Sequence, residues 1–182
     1  MTEHRLVANV VTVLAVCALT SGCGRDVSIG TPRDDDRVGA PGHLSHGWRV
    51  SRVIDGDTLD VSRKGSTVRI RLIGVDAPET AHPSVPVECF GHEASTFARH
   101  ALLHEHVSLE FDASQARTDR YGRSLAYVWI DSSSRFTLFN QRAIRLGYAN
   151  EYTFRTEYRW RNQFLRAERR ARAAEVGLWA DC

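Results

Sequence analysis

The sequence contains almost no lysine: Lys64 is the only one, and the other 23 of its 24 basic residues are arginines. With 22 acidic residues the formal net charge is +2, which is too small to indicate a nucleic-acid partner by itself. Arginine is nevertheless the cation best suited to bidentate contacts with phosphate. A codon bias would give the same count, and it is the favoured explanation at surface positions.

Long apolar runs are also missing beyond the N-terminus. No internal stretch is long and apolar enough to cross a bilayer, which excludes an internal membrane span. The 182 residues have an ordinary globular composition, with 42% hydrophobic and 25% charged residues. This length and composition are sufficient for one domain with its own core.

Residues 1–22 have the layout of a secretory signal: a polar start, an apolar run from Leu6 to Leu19, and small residues before Cys23. Small residues followed by Cys23 resemble a bacterial lipoprotein signal, which predicts lipidation of Cys23. Thr20 departs from that pattern, because leucine is usual there. An ordinary secreted protein and an uncleaved anchor are the alternatives. The expected location is extracytoplasmic, as a cell-surface lipoprotein or a secreted protein.

The next segment is poor in apolar residues. Residues 23–46 are rich in Gly, Pro, Asp and Ser, which predicts a disordered tether. Order is expected from about Trp48, so the folded domain is assigned to residues 47–182.

Cysteine is scarce too, with four in the chain. Cys17 and Cys23 belong to the predicted signal, which leaves Cys89 and Cys182 in a chain destined for an oxidising compartment. A disulfide between them is predicted, and two unrelated thiols are the alternative. On the chain-entropy model such a bridge contributes at most about 4–5 kcal/mol.

The rest of the sequence reads as short strands followed by helices. Strands are predicted at WRVSRVI, TLDVS, TVRIRLIG, VSLEF and RSLAYVWI, the third because Val68, Ile70 and Leu72 alternate with polar residues. Helices are predicted at GHEASTFARHALL, at LFNQRAIRLG and over about Glu157 to Glu175. This order predicts a mainly β, α+β fold: a five-stranded OB-type barrel with three packed helices.

Two turns carry acids. Asp55 and Asp57 follow the first strand, and Asp76 and Glu79 follow the third. If those strands pair, both turns meet at one end of the barrel. Histidine and cysteine are absent from these motifs, which disfavours zinc and copper. Oxygen ligands favour Ca²⁺, with Mg²⁺ second.

Two arginines accompany these acids. Arg71 lies on the polar face of the third strand, and Arg123 begins the fifth. A metal ion with two arginines is the set that phosphoryl transfer requires, because the phosphate oxygens gain charge during attack. Glu79 beside them is placed to orient or deprotonate a water molecule.

Five stretches occur in the order and with the spacing typical of one family: VIDGDT, IRLIGVDAPET, FGHEAS, TDRYGRSLAYVW and GLW. Over residues 48–180 the chain resembles the staphylococcal nuclease (thermonuclease) family. The resemblance implies a five-stranded OB-type barrel with three helices. It also implies an enzyme that cleaves DNA and RNA and leaves 3′-phosphate and 5′-hydroxyl ends. Nothing in the sequence suggests more than a monomer, which is the expected oligomeric state.

The resemblance also implies roles for the acids. Asp57, Asp76 and the backbone carbonyl of Ala77 would bind Ca²⁺, and Glu79 would act as general base. Ala77 stands where a well-known member has threonine; a carbonyl ligand survives this difference, whereas a hydroxyl contact does not.

The remaining roles concern the substrate. Arg71 and Arg123 would bind the scissile phosphate and stabilise its transition state. Tyr121 and Arg120 would lie near the terminal phosphate of the nucleotide. Tyr152 is a separate candidate for stacking on a base; packing against the last helix is the alternative.

Two other classes of function compete with a nuclease. One is a barrel that binds nucleic acid without cleaving it, and the other is a cell-surface scaffold lipoprotein that binds no metal. A catalytic barrel needs five residues together, and the sequence has all five: Asp57, Arg71, Asp76, Glu79 and Arg123.

Overall fold

A computed structural model describes residues 43–80, 86–132 and 135–182. The predicted signal over 1–22, the proposed lipid site Cys23 and most of the tether lie outside these residues. None of the described helices has the length and apolar character needed to cross a membrane.

The described residues form eight strands and four helices. The strands are β1 (Ser45–Val53), β2 (Thr58–Arg63), β3 (Ser66–Leu72), β4 (Val75–Asp76), β5 (His106–Glu110), β6 (Ser124–Ser132), β7 (Arg135–Leu138) and β8 (Asn150–Glu151). The helices are α1 (Gly91–Leu102), α2 (Phe139–Arg145), α3 (Arg161–Ala173) and α4 (Leu178–Asp181).

Five of the strands close into a barrel. Antiparallel pairs join β3 to β2, β2 to β1, β1 to β5 and β5 to β6, and a parallel pair between β6 and β3 completes the circle. This is the predicted mainly β, OB-type barrel. The barrel interior is filled by apolar side chains of these strands: Val61, Ile70 and Val107 are fully buried.

Three strands were not predicted. β7 extends the β6 hairpin beyond the barrel, and the two-residue strands β4 and β8 pair outside it, Val75 with Glu151 and Asp76 with Asn150. Strands of two residues are too short for an alternating pattern to reveal them.

Order begins earlier than Trp48. β1 starts at Ser45, which pairs with Leu109 of β5 and whose hydroxyl accepts a 3.0 Å hydrogen bond from the Trp48 indole. His46 Nδ1 lies 2.7 Å from Ser108 Oγ. These contacts bring residues 45 and 46, assigned to the tether, into the sheet.

Helix α3 is shorter than the helix predicted over residues 157–175. It begins at Arg161, and just ahead of it the Arg159 amide donates to the Asp112 carboxylate at 2.7 Å. The helix ends at Ala173, and Glu175 has a positive φ of 47°.

Helix α2 supports the chain that leaves β3. Asn140 is fully buried; its side-chain amide donates to the Ile73 carbonyl and its oxygen accepts from the Val128 amide, both at 2.9 Å. Gly74 follows with φ +74°, and a Cβ there would lie 2.5 Å from the Tyr158 ring. The turn into β4 is therefore fixed on two sides.

Candidate active site

Strand register brings the predicted site residues to one end of the barrel. Thr58, the first residue of β2, pairs with Arg71 near the end of β3. On the other side of β3, Arg71 pairs with Leu125 of β6, two residues after Arg123. The acidic turn before β2 and both arginines thus share one rim.

Arg71 is the centre of this rim. Its Nη2 lies 3.0 Å from Asp57 Oδ2 and 3.0 Å from Asp76 Oδ1. Its Nη1 donates to the carbonyls of Leu72 and Val75. With only 14% of its side chain exposed, the guanidinium holds the acids of both turns in one fixed arrangement.

Asp57 joins the two acidic turns. It is buried, with 6% exposure, and its Oδ2 accepts a 3.0 Å hydrogen bond from the Ala77 amide. Gly56 permits this approach, because a Cβ there would lie 2.5 Å from the Ala77 Cβ. Asp55 Oδ1 accepts from the Asp57 amide at 2.9 Å, which fixes the first turn.

Negative charge accumulates at this rim. Burial and, second to it, the charge of Asp57 together raise the pKa of the Asp55 carboxyl to about 7. Burial also raises the pKa of Asp76; Asp57 adds to this shift, and Arg71 opposes it. A bound cation would offset this repulsion.

The donor set fits a hard cation. The Asp57 and Asp76 carboxylates and the Ala77 carbonyl are oxygen donors of the kind that Ca²⁺ prefers. Across the described ranges, no group of three or more His, Cys, Asp or Glu side chains is placed to hold a metal ion. The candidate site has two carboxylates, with the Ala77 carbonyl as the third oxygen donor.

Glu79 lies just past Pro78 in the second turn. Its Oε1 accepts a 2.9 Å hydrogen bond from the Thr80 amide. Its backbone is bonded twice to Glu88: the Glu79 amide donates to Glu88 Oε2, and the Glu88 amide donates to the Glu79 carbonyl, both at 3.0 Å. The general-base candidate is therefore held by the segment that precedes α1.

Arg123 reaches the same rim from β6. Its Nε donates to Asp119 Oδ2 at 2.6 Å, and its Nη1 donates to Thr58 Oγ1 at 3.3 Å. Thr58 in turn donates to Asp57 Oδ1 at 2.9 Å. One buried hydroxyl thus connects the second arginine to the acid at the centre of the site.

Known proteins match this part of the chain. A family model described as "Staphylococcal nuclease homologue" matches residues 69–181. The chain belongs to the staphylococcal nuclease family. The thermonuclease of Staphylococcus hyicus is 37% identical over 134 residues, which are 74% of this chain and 76% of the relative.

Two further relatives agree with this membership. The thermonuclease of Staphylococcus intermedius is 37% identical over 132 residues, 72% of this chain and 75% of that protein. The SPbeta prophage-derived endonuclease YokF of Bacillus subtilis is 33% identical over 132 residues, 72% of this chain and 43% of the relative. Membership of the staphylococcal nuclease family supports a nuclease as the enzyme class.

Two residues that organise this staphylococcal nuclease site were not predicted. Asp119 Oδ1 accepts from the amides of Tyr121 and Arg123, both at 2.9 Å, and so shapes the whole turn. Thr58 is the other. Asp119 lies in the recognisable DRYGR stretch, whereas the role of Thr58 depends on strand register, which the local pattern does not reveal.

The predicted substrate residues lie on the surface. Tyr121 is 66% exposed; the Arg120 guanidinium donates to its hydroxyl and lies 4.7 Å from the ring centroid. The Arg123 guanidinium lies 5.4 Å from the same centroid. Tyr121 is therefore exposed and close to Arg123, the predicted phosphate-binding arginine.

Tyr152 follows β8, the partner of the strand that carries Asp76. It is 44% exposed and stacks on Phe154, which is 58% exposed, with ring centroids 6.3 Å apart. Phe154 was missed because the sequence here resembles the family only loosely. The exposure is compatible with base stacking and does not favour burial against α3.

Cys89 and Cys182 are joined as a disulfide, with Cα atoms 6.0 Å apart and a sequence separation of 93. Cys89 lies between Glu88 and the start of α1, and Cys182 follows α4. The bridge therefore ties the segment beside Glu79 to the end of the chain.

Proposed function

We propose that this chain is a Ca²⁺-dependent phosphodiesterase that hydrolyses DNA and RNA to 3′-phosphate and 5′-hydroxyl ends outside the cytoplasm. The observation that carries the proposal is the position of Arg71. It contacts Asp57 and Asp76 at 3.0 Å, on the rim to which Arg123 is connected through Thr58.

Each residue of this rim has its own role in the proposed reaction. Glu79 takes a proton from water as its oxygen attacks phosphorus. The bond between phosphorus and the 5′ oxygen breaks, and that oxygen takes up a proton. Arg71 and Arg123 bind the phosphate oxygens and stabilise the charge that develops on them. Their fixed hydrogen bonds mean that little reorganisation is needed during attack.

Ca²⁺ is the proposed cofactor. Asp57, Asp76 and the Ala77 carbonyl would hold it, and when bound it would neutralise charge on the phosphate. Support comes from the oxygen-only donor set and from the closeness of the carboxylates, since the charge of Asp57 adds to burial in raising the pKa of both Asp55 and Asp76.

Tyr121 and Arg120 are proposed to contact the terminal phosphate, and Tyr152 to stack on a base. These roles are supported by where the tyrosines lie on the surface. Tyr121 is exposed beside Arg123, and Tyr152 is exposed beside the strand that carries Asp76. Aromatic stacking tolerates every base, which agrees with a substrate range that includes DNA and RNA.

Extracytoplasmic location and lipidation of Cys23 are proposed from the N-terminal sequence. The Cys89–Cys182 disulfide supports the location, because such bonds persist chiefly in oxidising compartments. A monomer remains our prediction for the oligomeric state.

A cleavage assay on the full chain tests the function. Single-stranded and duplex DNA and RNA are incubated with Ca²⁺, with Mg²⁺ and with a chelator, and the product ends are identified. The proposal predicts cleavage that requires Ca²⁺, stops with chelator and leaves 3′-phosphate ends. A folded protein that binds nucleic acid but cuts none of these substrates would instead be a binding module.

A further inference from the structure

The segment over residues 86–90 contacts the general-base candidate through its backbone. Both backbone groups of Glu79 are bonded to Glu88, its amide to the carboxylate and its carbonyl to the amide, each at 3.0 Å. A Cβ on Gly91 would lie 2.8 Å from the Glu79 carbonyl oxygen, so the start of α1 also packs closely against this residue. The position of Glu79 thus depends on the position of Glu88.

Burial contributes little to holding Glu88 in place. Residues 86–89 are all exposed. On the side of α1, Glu88 is held by one hydrogen bond, from the Gly91 amide to the Glu88 carbonyl at 3.0 Å. The adjacent disulfide at Cys89 is the covalent tie of this segment to another part of the fold.

The other end of the disulfide is well anchored. α4 begins at Leu178, a buried residue whose amide donates to the Gly147 carbonyl at 2.9 Å. Gly147 and Gly177 approach so closely that a Cβ on Gly147 would lie 2.1 Å from the Val176 carbonyl oxygen. Cys182 follows directly, and its amide donates to the Leu178 carbonyl at 3.0 Å.

We propose that Glu88 is a positioning residue for Glu79, and that the Cys89–Cys182 disulfide makes this positioning, and hence the rate of cleavage, depend on the redox state of the protein. The inference rests on the proposed function. It assigns the bridge a role in catalysis that a purely stabilising crosslink would not have.

The redox step is a two-electron exchange with an external dithiol. The bond between the two cysteine sulfurs breaks and each sulfur gains a proton, while the dithiol loses two protons and two electrons as it closes to its own disulfide. Both cysteines are exposed, so a reductant can reach them. In a reducing compartment the nuclease would therefore work slowly, and it would reach full rate only after oxidation.

The first arm of the test compares the oxidised full chain with the same chain treated with dithiothreitol, at a temperature where both are folded by circular dichroism. We expect kcat to fall about ten- to hundredfold on reduction while KM and Ca²⁺ affinity change little, because a displaced base affects the transition state more than binding. We also expect faster hydrogen exchange at the Glu79 amide. The double variant Cys89→Ser/Cys182→Ser is the control and should be slow with or without the reductant.

The second arm keeps the disulfide and changes Glu88. Glu88→Ala should lower kcat in the Glu79 wild-type background but add almost no loss to Glu79→Gln, because the two residues act as one unit. Glu105→Gln, at an exposed acid beyond the other end of α1, is the matched control and should be unaffected.

The possible outcomes distinguish failure of the proposed function from failure of the redox role and of the role of Glu88. An oxidised chain that cuts no substrate contradicts the proposed function. An active oxidised chain with the same kcat after reduction contradicts the redox role, as does loss of fold on reduction. Losses from Glu88→Ala and Glu79→Gln that simply multiply would show that Glu88 does not act through Glu79.

Discussion

At the scale of single residues, the site is fixed by side chains that each bind several partners at once through hydrogen bonds. Arg71 satisfies two carboxylates and two carbonyls at once. Thr58 is buried, donates to Asp57 and accepts from Arg123. A hydroxyl is the smallest group that can perform both roles, since a methyl group can neither donate nor accept.

Removing the Thr58 hydroxyl should therefore weaken the site. We expect Thr58→Val to lower kcat/KM about tenfold through a displaced Arg123, and to cost about 1–3 kcal/mol of unfolding free energy through the lost bond to Asp57. Thr58→Ser keeps the hydroxyl and should retain most of the activity. Steady-state kinetics and urea unfolding of both variants measure this, and equal activity in the two would exclude the bridging role.

At the scale of elements, side chains that bond across connecting segments hold strands and helices in place. The Asp112 carboxylate accepts from Tyr127 and from the Arg159 amide at 2.7 Å each, and from Ser114. This network joins the chain after β5 to the chain before α3. Helix α3 begins two residues later, at Arg161.

This network should make stability depend on pH. Burial raises the pKa of Asp112, but hydrogen bonds from Arg159, Ser114 and Tyr127 outweigh it and hold the pKa below the ordinary 3.8. A lowered folded pKa stabilises the protein above the unfolded value, and that stability is lost as the pH falls through the folded value.

Asp112→Asn should remove this dependence. We expect it to lower the unfolding free energy by about 1–3 kcal/mol at neutral pH, and to lose less further stability between pH 7 and about pH 3 than the wild type. Thermal melts at both pH values measure the difference, with Glu105→Gln as the control. A variant with the wild-type acid loss would show that Asp112 is not responsible.

Most strands and site residues with a local sequence pattern were predicted, and those fixed by distant contacts were not. The barrel strands were predicted because alternation such as Val68, Ile70 and Leu72 is local. β4 and β8 are too short to show it, and the bond that fixes the chain before α3 comes from Asp112, 47 residues before Arg159. The site acids and arginines were predicted from their motifs, whereas the roles of Thr58 and Glu88 depend on tertiary contacts that no local pattern contains. Asp119 acts locally, on Tyr121 and Arg123, and its DRYGR stretch could have indicated it.

At the scale of the whole molecule, two covalent features determine where and when the enzyme would work. The disulfide at Cys89 and Cys182 links the site to the C-terminus. The proposed lipid on Cys23 would keep the domain at the membrane surface, with the tether as a spacer. Both features agree with action on nucleic acid outside the cytoplasm.

Lipidation can be tested by changing the acceptor. Cys23→Ser should release the protein from the membrane fraction and abolish incorporation of a labelled fatty acid, because the thioether site is lost. Specific activity on soluble nucleic acid should be unchanged, since Cys23 lies outside residues 47–182, to which the nuclease domain is assigned. Wild-type protein found only in the soluble fraction, without label, would indicate an ordinary secreted protein.

The central claim is that the turn after β3 brings a base, a cation site and a phosphate-binding arginine to one point. The most direct measurement is the kcat of Glu79→Gln with saturating Ca²⁺, alongside its affinities for Ca²⁺ and for a nucleotide. Our account predicts a loss of about 10²- to 10⁴-fold in kcat with both affinities nearly unchanged. A variant that retained near-normal turnover would show that Glu79 is not the base and would contradict the account.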